Sequence, residues 1–204
     1  MQAPPGQRIL VWGNSCAGKS TLASQLSAKF DLRFVELDAL NWLPNWVGLN
    51  MTEPDRLIKR MQLATKGDRW VVAGSYTAQS KAAFWPRLDM VIWLDLPKPL
   101  LIWRCLKRSF TRWRDATLLW GTNRESFWQQ LKVWEGEESL LWWVYTQHDR
   151  KRRQTLEFIA DGTWKDAQVV RVKSPRELSQ LLNSWQVTDD HTLYQPAATT
   201  WDQD

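Results

Sequence analysis

Gly13-Asn14-Ser15-Cys16-Ala17-Gly18-Lys19-Ser20-Thr21 is the stretch that decides the fold. It fits G-x-x-x-x-G-K-[ST], the phosphate-binding P-loop. The apolar run Arg8-Ile-Leu-Val-Trp12 precedes it, and Leu22 and Leu26 mark one face of a helix after it. Strand, glycine loop and helix, in that order, is what the chemistry requires. Backbone N–H groups and the helix N-terminus present partial positive charge to phosphate oxygens, and the glycines let the loop wrap without Cβ clashes. Gly13 through Thr21 are therefore the expected nucleotide-binding residues. Lys19 is placed to neutralise the β- and γ-phosphates, and the Ser20 hydroxyl to join the shell of Mg²⁺. Cys16, inside the loop and near Lys19, reads either as a small filler or as a site that favours the thiolate.

Outward from the loop, Val- and Ile-rich runs recur at Arg33–Leu37, Trp70–Ala73, Met90–Leu94 and Val169–Val172, each followed by polar or helical sequence. Parallel strands need crossover connections, so this alternation predicts a five-stranded parallel sheet in a three-layer α/β/α P-loop NTPase fold. Helices are predicted over Pro54–Lys66, with Thr52 as N-cap, over Pro97–Trp113, over roughly Arg124–Gln147, and from Pro175 onward. The expected division is one domain over residues 1–185, with a cap at about 39–66 and a short lid at about 112–126. An acidic, aperiodic tail over 186–204 is expected to be disordered.

The 204 residues carry 27 Lys plus Arg against 22 Asp plus Glu, a formal charge of +5. Two cysteines are too few for a disulfide framework or a four-cysteine zinc site. The absence of a long apolar run argues against a membrane span, and the N-terminal residues lack the apolar core of a signal peptide. A cytoplasmic protein, monomeric or homodimeric, is the expectation. Sixteen tryptophans are the compositional oddity, and most are expected to pack in the interior.

Asp38, at the end of the second strand, falls at the carboxyl edge of the sheet, where such folds bind ligands. It is placed to take a proton from an acceptor hydroxyl or to hold Mg²⁺ through water; the alternative is a helix N-cap. Trp42, with Pro44 and Trp46, follows where a cap belongs, and its indole either stacks on an acceptor or simply packs. Arg104, Arg108 and Arg112 share one side of a helix and are candidates to reach the γ-phosphate as lid arginines; a solvated face or a nucleic-acid patch is the alternative. Arg150–Arg153 is a second basic run, for which a solvated face is at least as good a reading as a phosphate-contacting one.

Several stretches together resemble the adenylate kinase-related P-loop proteins of the topology modulation protein family. They are the P-loop, Glu36-Leu-Asp-Ala-Leu-Asn-Trp42, Trp70-Val-Val-Ala-Gly-Ser-Tyr76 and Asp89–Pro97, with further landmarks to about residue 182. The resemblance implies a nucleoside-monophosphate-kinase-like fold, ATP and Mg²⁺ as cofactors, and γ-phosphate transfer to a small-molecule acceptor, whether nucleoside, nucleotide or other hydroxylated metabolite. Acceptor binding then falls to Asp38, Trp42, Gly74 and Tyr76, catalysis to Lys19, Asp38 and the three arginines, and the metal to Ser20 and Asp38. Adenylate kinases end the third strand with Asp-Gly and place an arginine soon after; here Ala73-Gly74-Ser75-Tyr76-Thr77-Ala78-Gln79 has neither, which favours a less charged acceptor. The competing expectation is a nucleotide-binding regulator whose basic lid touches nucleic acid or a partner protein. No Asn-Lys-x-Asp guanine signature supports a GTPase.

Overall fold

The computed structural model describes residues 7–124, 126–128, 139–187 and 193–194. Five strands form one parallel sheet: β1 (Arg8–Gly13), β2 (Arg33–Glu36), β3 (Trp70–Ala73), β4 (Met90–Leu94) and β5 (Gln168–Val172), in the spatial order β2-β3-β1-β4-β5. Between them run α1 (Lys19–Phe30), α2 (Leu37–Asn41), α3 (Pro54–Ala64), α4 (Thr77–Ala83), α5 (Lys98–Arg114) and α6 (Leu140–Ala160), and α7 (Pro175–Ser184) follows β5. This is the three-layer α/β/α P-loop NTPase fold expected from the sequence.

Two-residue alternation along the strands divides the interior. Ile9, Val11, Val71, Ala73, Ile92 and Leu94 face one side, where they meet Leu22, Leu26 and Phe30 of α1. Leu10, Trp12, Val72, Val91 and Trp93 face the other, against Leu57 and Met61 of α3. Helix α6 serves both layers, contributing Val144 to the first and Phe158 to the second. Because β1 lies between β3 and β4, the loop after Gly13 emerges at the centre of the sheet, bordered by the ends of both neighbours.

The tryptophans depart from the expectation that most pack in the interior: Trp12, Trp70, Trp85, Trp93, Trp164 and Trp185 are buried, but Trp46, Trp103, Trp113, Trp128, Trp142 and Trp143 are exposed. Trp12, Trp85 and Trp164 meet with Phe158 in a buried aromatic cluster whose ring centroids lie 5.1 to 6.4 Å apart. The Trp12 indole donates to Thr155 Oγ1 at 2.9 Å, which joins α6 to the strand that carries the P-loop.

Three boundaries depart from the sequence reading. Thr52 does not cap α3: it ends a one-turn helix, Leu49–Thr52, and its hydroxyl donates to the Gly48 carbonyl, while Glu53 occupies the cap position. The helix expected to end near Gln147 instead begins at Leu140, after an N-cap at Ser139 whose hydroxyl accepts from Trp142 N, and continues to Ala160. Most of residues 125–138 lie outside the described residues, as does most of the acidic tail. Within that tail, Gln186–Val187 pairs antiparallel with Leu193–Tyr194.

Candidate active site

Backbone geometry shapes the P-loop before any side chain acts. Gly13, at φ 150°, has no room for a Cβ, which would lie 2.9 Å from the Leu94 carbonyl oxygen. Gly18, at φ 95°, turns the chain into α1, and no side chain caps that helix. Its first N–H groups thus present positive partial charge toward the loop. Asn14 Nδ2 donates to the Val144 carbonyl of α6, and its Oδ1 accepts from Ser15 N at 2.8 Å. Cys16 is buried and takes the left-handed conformation, φ 63°. Thr21 is exposed on the first turn of α1.

Lys19 folds back over the loop and donates to the Asn14 carbonyl at 2.9 Å. Burial pushes its ammonium pKa down, opposed by the negative charge of Asp38. The Ser20 hydroxyl donates to Glu36 Oε1 at 2.6 Å, so the carboxylate beside Ser20 is that of Glu36. Asp38 lies in the first turn of α2 rather than in the strand, and its Oδ1 accepts from the Tyr76 hydroxyl at 2.8 Å. Burial first, and then the charge and hydrogen bond of Asp38, drive the phenol pKa far upward; Asn41 and Trp42, at the same hydroxyl, pull weakly the other way. Tyr76 therefore acts as a neutral donor that aims the carboxylate.

Gly74 carries the closeness of the two strand ends. At φ 145°, a Cβ there would fall 2.6 Å from Leu37 Cβ, next in sequence to Asp38. Gly74→Ala is expected to destabilise the fold by about 1–3 kcal/mol, the scale of a strained backbone site. Urea unfolding checks this, and an unchanged midpoint would contradict it.

Arg104 and Arg108 of α5 reach the loop. Arg104 Nη1 donates to the Ala17 carbonyl at 3.0 Å, and it lies 3.7 Å from where a Gly18 Cβ would be. The Arg108 charge acts on Lys19, and its buried Nε finds no hydrogen-bond partner among the described residues. Arg112 lies one turn further along the same helix, toward the lid.

A cation from the second basic run, for which a solvated face is at least as good a reading of the sequence, completes the cluster. Lys151, in the middle of α6, donates from Nζ to Ser75 Oγ at 2.5 Å and lies 5.0 Å from the centre of the Trp12 ring. Burial, reinforced by the charge of Lys19 and opposed by that of Asp38, pushes its pKa down to about 7. Arg152, its neighbour in the same run, pairs with buried Asp95 at 3.4 Å, alongside Arg171 at 2.6 Å. A signal for Lys151 was present: Val144, His148, Lys151, Thr155 and Phe158 recur at four- and three-residue steps, the inward stripe of a helix.

The segments expected as cap and lid meet directly. In the latter, Leu118–Leu119 pairs antiparallel with Asn123–Arg124. Asn123 Nδ2 donates to the Leu43 carbonyl at 3.0 Å, and its Oδ1 accepts from Trp46 N at 2.9 Å. Trp42, Trp46 and Trp120 stack edge to face, with successive centroids 5.5 and 5.8 Å apart. Trp46 and Trp120 both hold φ near +50°, at 57° and 50°, a strained conformation for a bulky residue. Asn123→Ala breaks both cap hydrogen bonds and is expected to expose the lid backbone. Faster amide exchange over residues 116–124, with the sheet unaffected, checks this; unchanged lid exchange would contradict it.

Oxygen donors suited to Mg²⁺ are present in Ser20, Glu36 and Asp38, while the described residues hold no cluster of three or more His, Cys, Asp or Glu able to bind a metal alone. That fits a cation held largely by substrate phosphates and water with one or two protein oxygens.

No family model matches the chain, and no curated protein matches it. Among solved structures, it is similar to a shikimate kinase from Aquifex aeolicus, 16% identical over 87% of this chain and 94% of that one, with a TM-score of 0.48. A deoxyadenosine kinase from M. mycoides with bound dATP is 12% identical over 86% and 97%, with a TM-score of 0.47. A gluconokinase from Sinorhizobium meliloti is 17% identical over 89% and 90%, with a TM-score of 0.43. Among the described residues, no helix is long and apolar enough to cross a membrane.

Proposed function

We propose that the chain is a small-molecule kinase that moves the γ-phosphate of ATP to an acceptor hydroxyl or phosphate. The observation that supports this most strongly is the convergence on one P-loop of Lys19, Lys151 and Arg108 with the carboxylate of Asp38, drawn from four separate helices. Phosphoryl transfer asks mainly for positioning and charge neutralisation, and this set offers both. The reading agrees with the likeness to adenylate kinase-related topology modulation proteins.

In this mechanism the loop amides and the start of α1 hold the phosphates, and Lys19 exchanges the Asn14 carbonyl for phosphate oxygen. Ser20, with Glu36 or Asp38, would hold Mg²⁺, which when bound would neutralise phosphate charge. Asp38, aimed by Tyr76, receives the acceptor proton as the acceptor oxygen bonds to the γ-phosphorus. The bond from that phosphorus to the β–γ bridging oxygen breaks, and ADP leaves. Arg108 and Lys151 offset charge on the transferred group, and Trp42 walls the acceptor side.

ADP release from Mg·ATP, measured across nucleosides, nucleoside monophosphates and hydroxylated metabolites with Lys19→Ala as blank, tests the proposal. Stimulation by one acceptor class supports it. ATP binding without stimulation by any acceptor would turn the assignment to a nucleotide-gated regulator.

A further inference from the structure

Asp38 draws two lysines and pairs with neither. Its negative charge acts on the ammonium groups of both Lys19 and Lys151. Lys19 nevertheless donates to the Asn14 carbonyl at 2.9 Å, and Lys151 to Ser75 Oγ at 2.5 Å. The carboxylate takes its hydrogen bond from the neutral phenol of Tyr76, at 2.8 Å. Two cations that feel one carboxylate are therefore each held on an uncharged oxygen, against an attraction that a site shielded from water strengthens.

Ser75 and Tyr76 are consecutive, and the backbone fixes the pair. Strands β2 and β3 run in register, Glu36 beside Ala73, and the close approach of Gly74 to Leu37 sets the next two residues against each other. Asp38 and Ser75 follow directly. On the other side of β3, Val11 of β1 pairs with Ala73, which brings Trp12 to the same end of the sheet. Tyr76 then leads into α4, its carbonyl accepting from Ser80 N at 2.8 Å. One dipeptide thus holds the cation with its first residue and the carboxylate with its second.

Helix α6 delivers Lys151 on an anchored backbone. Thr155 Oγ1 donates to the Lys151 carbonyl at 2.7 Å and accepts from the Trp12 indole at 2.9 Å. The ammonium lies 5.0 Å from the centre of that indole ring. What the helix leaves open is where the rotatable end of the side chain rests, on Ser75 or on Asp38. Contact between the two charges would serve the reaction badly. A carboxylate paired with an ammonium is a weaker proton acceptor, and a paired ammonium is no longer offered to phosphate oxygen.

Resting on the kinase reading, we infer that Ser75 is a positioning residue: its hydroxyl holds the Lys151 ammonium off the Asp38 carboxylate and keeps a place open between cation and proton acceptor for the transferring phosphoryl group. Tyr76 acts from the other side by occupying Asp38 Oδ1. Without the Ser75 oxygen the ammonium swings to the carboxylate, and its contribution to triphosphate binding is lost.

The test is a pair of mutant cycles read by titration calorimetry, with a non-hydrolysable ATP analogue and Mg²⁺ titrated into the full chain. The pH is held at about 6, below the Lys151 pKa of about 7, so that the ammonium form predominates. Ser75→Ala is expected to weaken the analogue about tenfold, and Ser75→Thr, which keeps the hydroxyl, to bind within about threefold of the parent. In a Lys151→Met chain, and separately in an Asp38→Asn chain, adding Ser75→Ala is expected to cost less than about twofold, because one partner of the restrained attraction is gone.

Parent-like affinity in Ser75→Ala overturns the inference, as does Ser75→Thr binding as weakly as Ser75→Ala. So does a loss of about tenfold that persists in the Lys151→Met chain, since the hydroxyl would then act on something other than that ammonium. The same loss in the Asp38→Asn chain overturns it as well, since no pull toward a carboxylate would be opposed. Each of these results leaves the kinase reading standing; failure of the analogue to bind the parent removes both.

Discussion

Lys19→Ala is expected to lower turnover by at least about 10²- to 10³-fold, the scale set by removing one preorganised charge-stabilising donor from a catalytic site. The fold should survive. Lys19 contributes one hydrogen bond to the Asn14 carbonyl, while its buried ammonium carries a desolvation cost that lowers its pKa. Truncation relieves that cost, so the urea midpoint should stay close to that of the parent protein. Turnover at the parent rate, measured by coupled ADP detection, would remove Lys19 from the mechanism. A collapse in stability would instead give it a structural role.

The second large effect concerns Lys151 and pH. Its pKa of about 7 in the folded protein lies below the 10.5 of an unperturbed lysine, so over that interval the unfolded chain binds more protons than the folded one. Stability from this group therefore rises with pH between about 7 and 10.5 and is lost as pH falls through about 7. Relative to Lys151→Met, the parent protein should gain stability across that window; parallel stability profiles would contradict the burial argument.

Binding has the opposite sign. Triphosphate favours the ammonium form, so ATP affinity should fall as pH rises above about 7, by at most about tenfold per pH unit. Proton uptake should accompany binding in that range. Lys151→Arg keeps its charge throughout and should flatten this dependence, while Lys151→Met should lose affinity most at low pH. Identical pH slopes for parent and Lys151→Arg would show that Lys151 does not meet phosphate.

These two lysines differ in how openly the sequence declares them. Lys19 sits in a motif whose spacing is itself the mechanism, and the flanking strand and helix can be read from alternation and from Leu22 and Leu26. All five sheet strands are legible on the same ground, because inward positions of buried strands tolerate only apolar side chains. Lys151 depends on where α6 crosses the sheet edge, a tertiary fact. Its basic neighbours Arg150, Arg152 and Arg153 conceal the inward stripe that runs from Val144 to Phe158. Asp38 was legible as an edge residue, but β2 ends at Glu36, paired with Ala73, so Asp38 belongs to the turn of helix after it. That two-residue difference puts Glu36, rather than Asp38, at the Ser20 hydroxyl.

The lid contact was less legible still. An asparagine in a short polar connection carries no periodic signal, yet Asn123 matches one backbone acceptor and one backbone donor of a loop some 80 residues earlier in the chain. Only the folded pairing of cap and lid makes that complementarity visible. The tryptophans divide on similar grounds: Trp12, Trp70, Trp85 and Trp93 lie on or beside core strands and are buried, whereas Trp42, Trp46 and Trp120 meet between segments distant in sequence.

The most direct test of the central claim follows the phosphorus itself: ATP labelled in the γ-phosphate, incubated with the purified chain, Mg²⁺ and the acceptor panel, with products separated and the label located. The account predicts label in a phosphorylated acceptor, with transfer abolished in Lys19→Ala and reduced in Lys151→Met. Label found solely as inorganic phosphate, or solely in unreacted ATP across the whole panel, would contradict it.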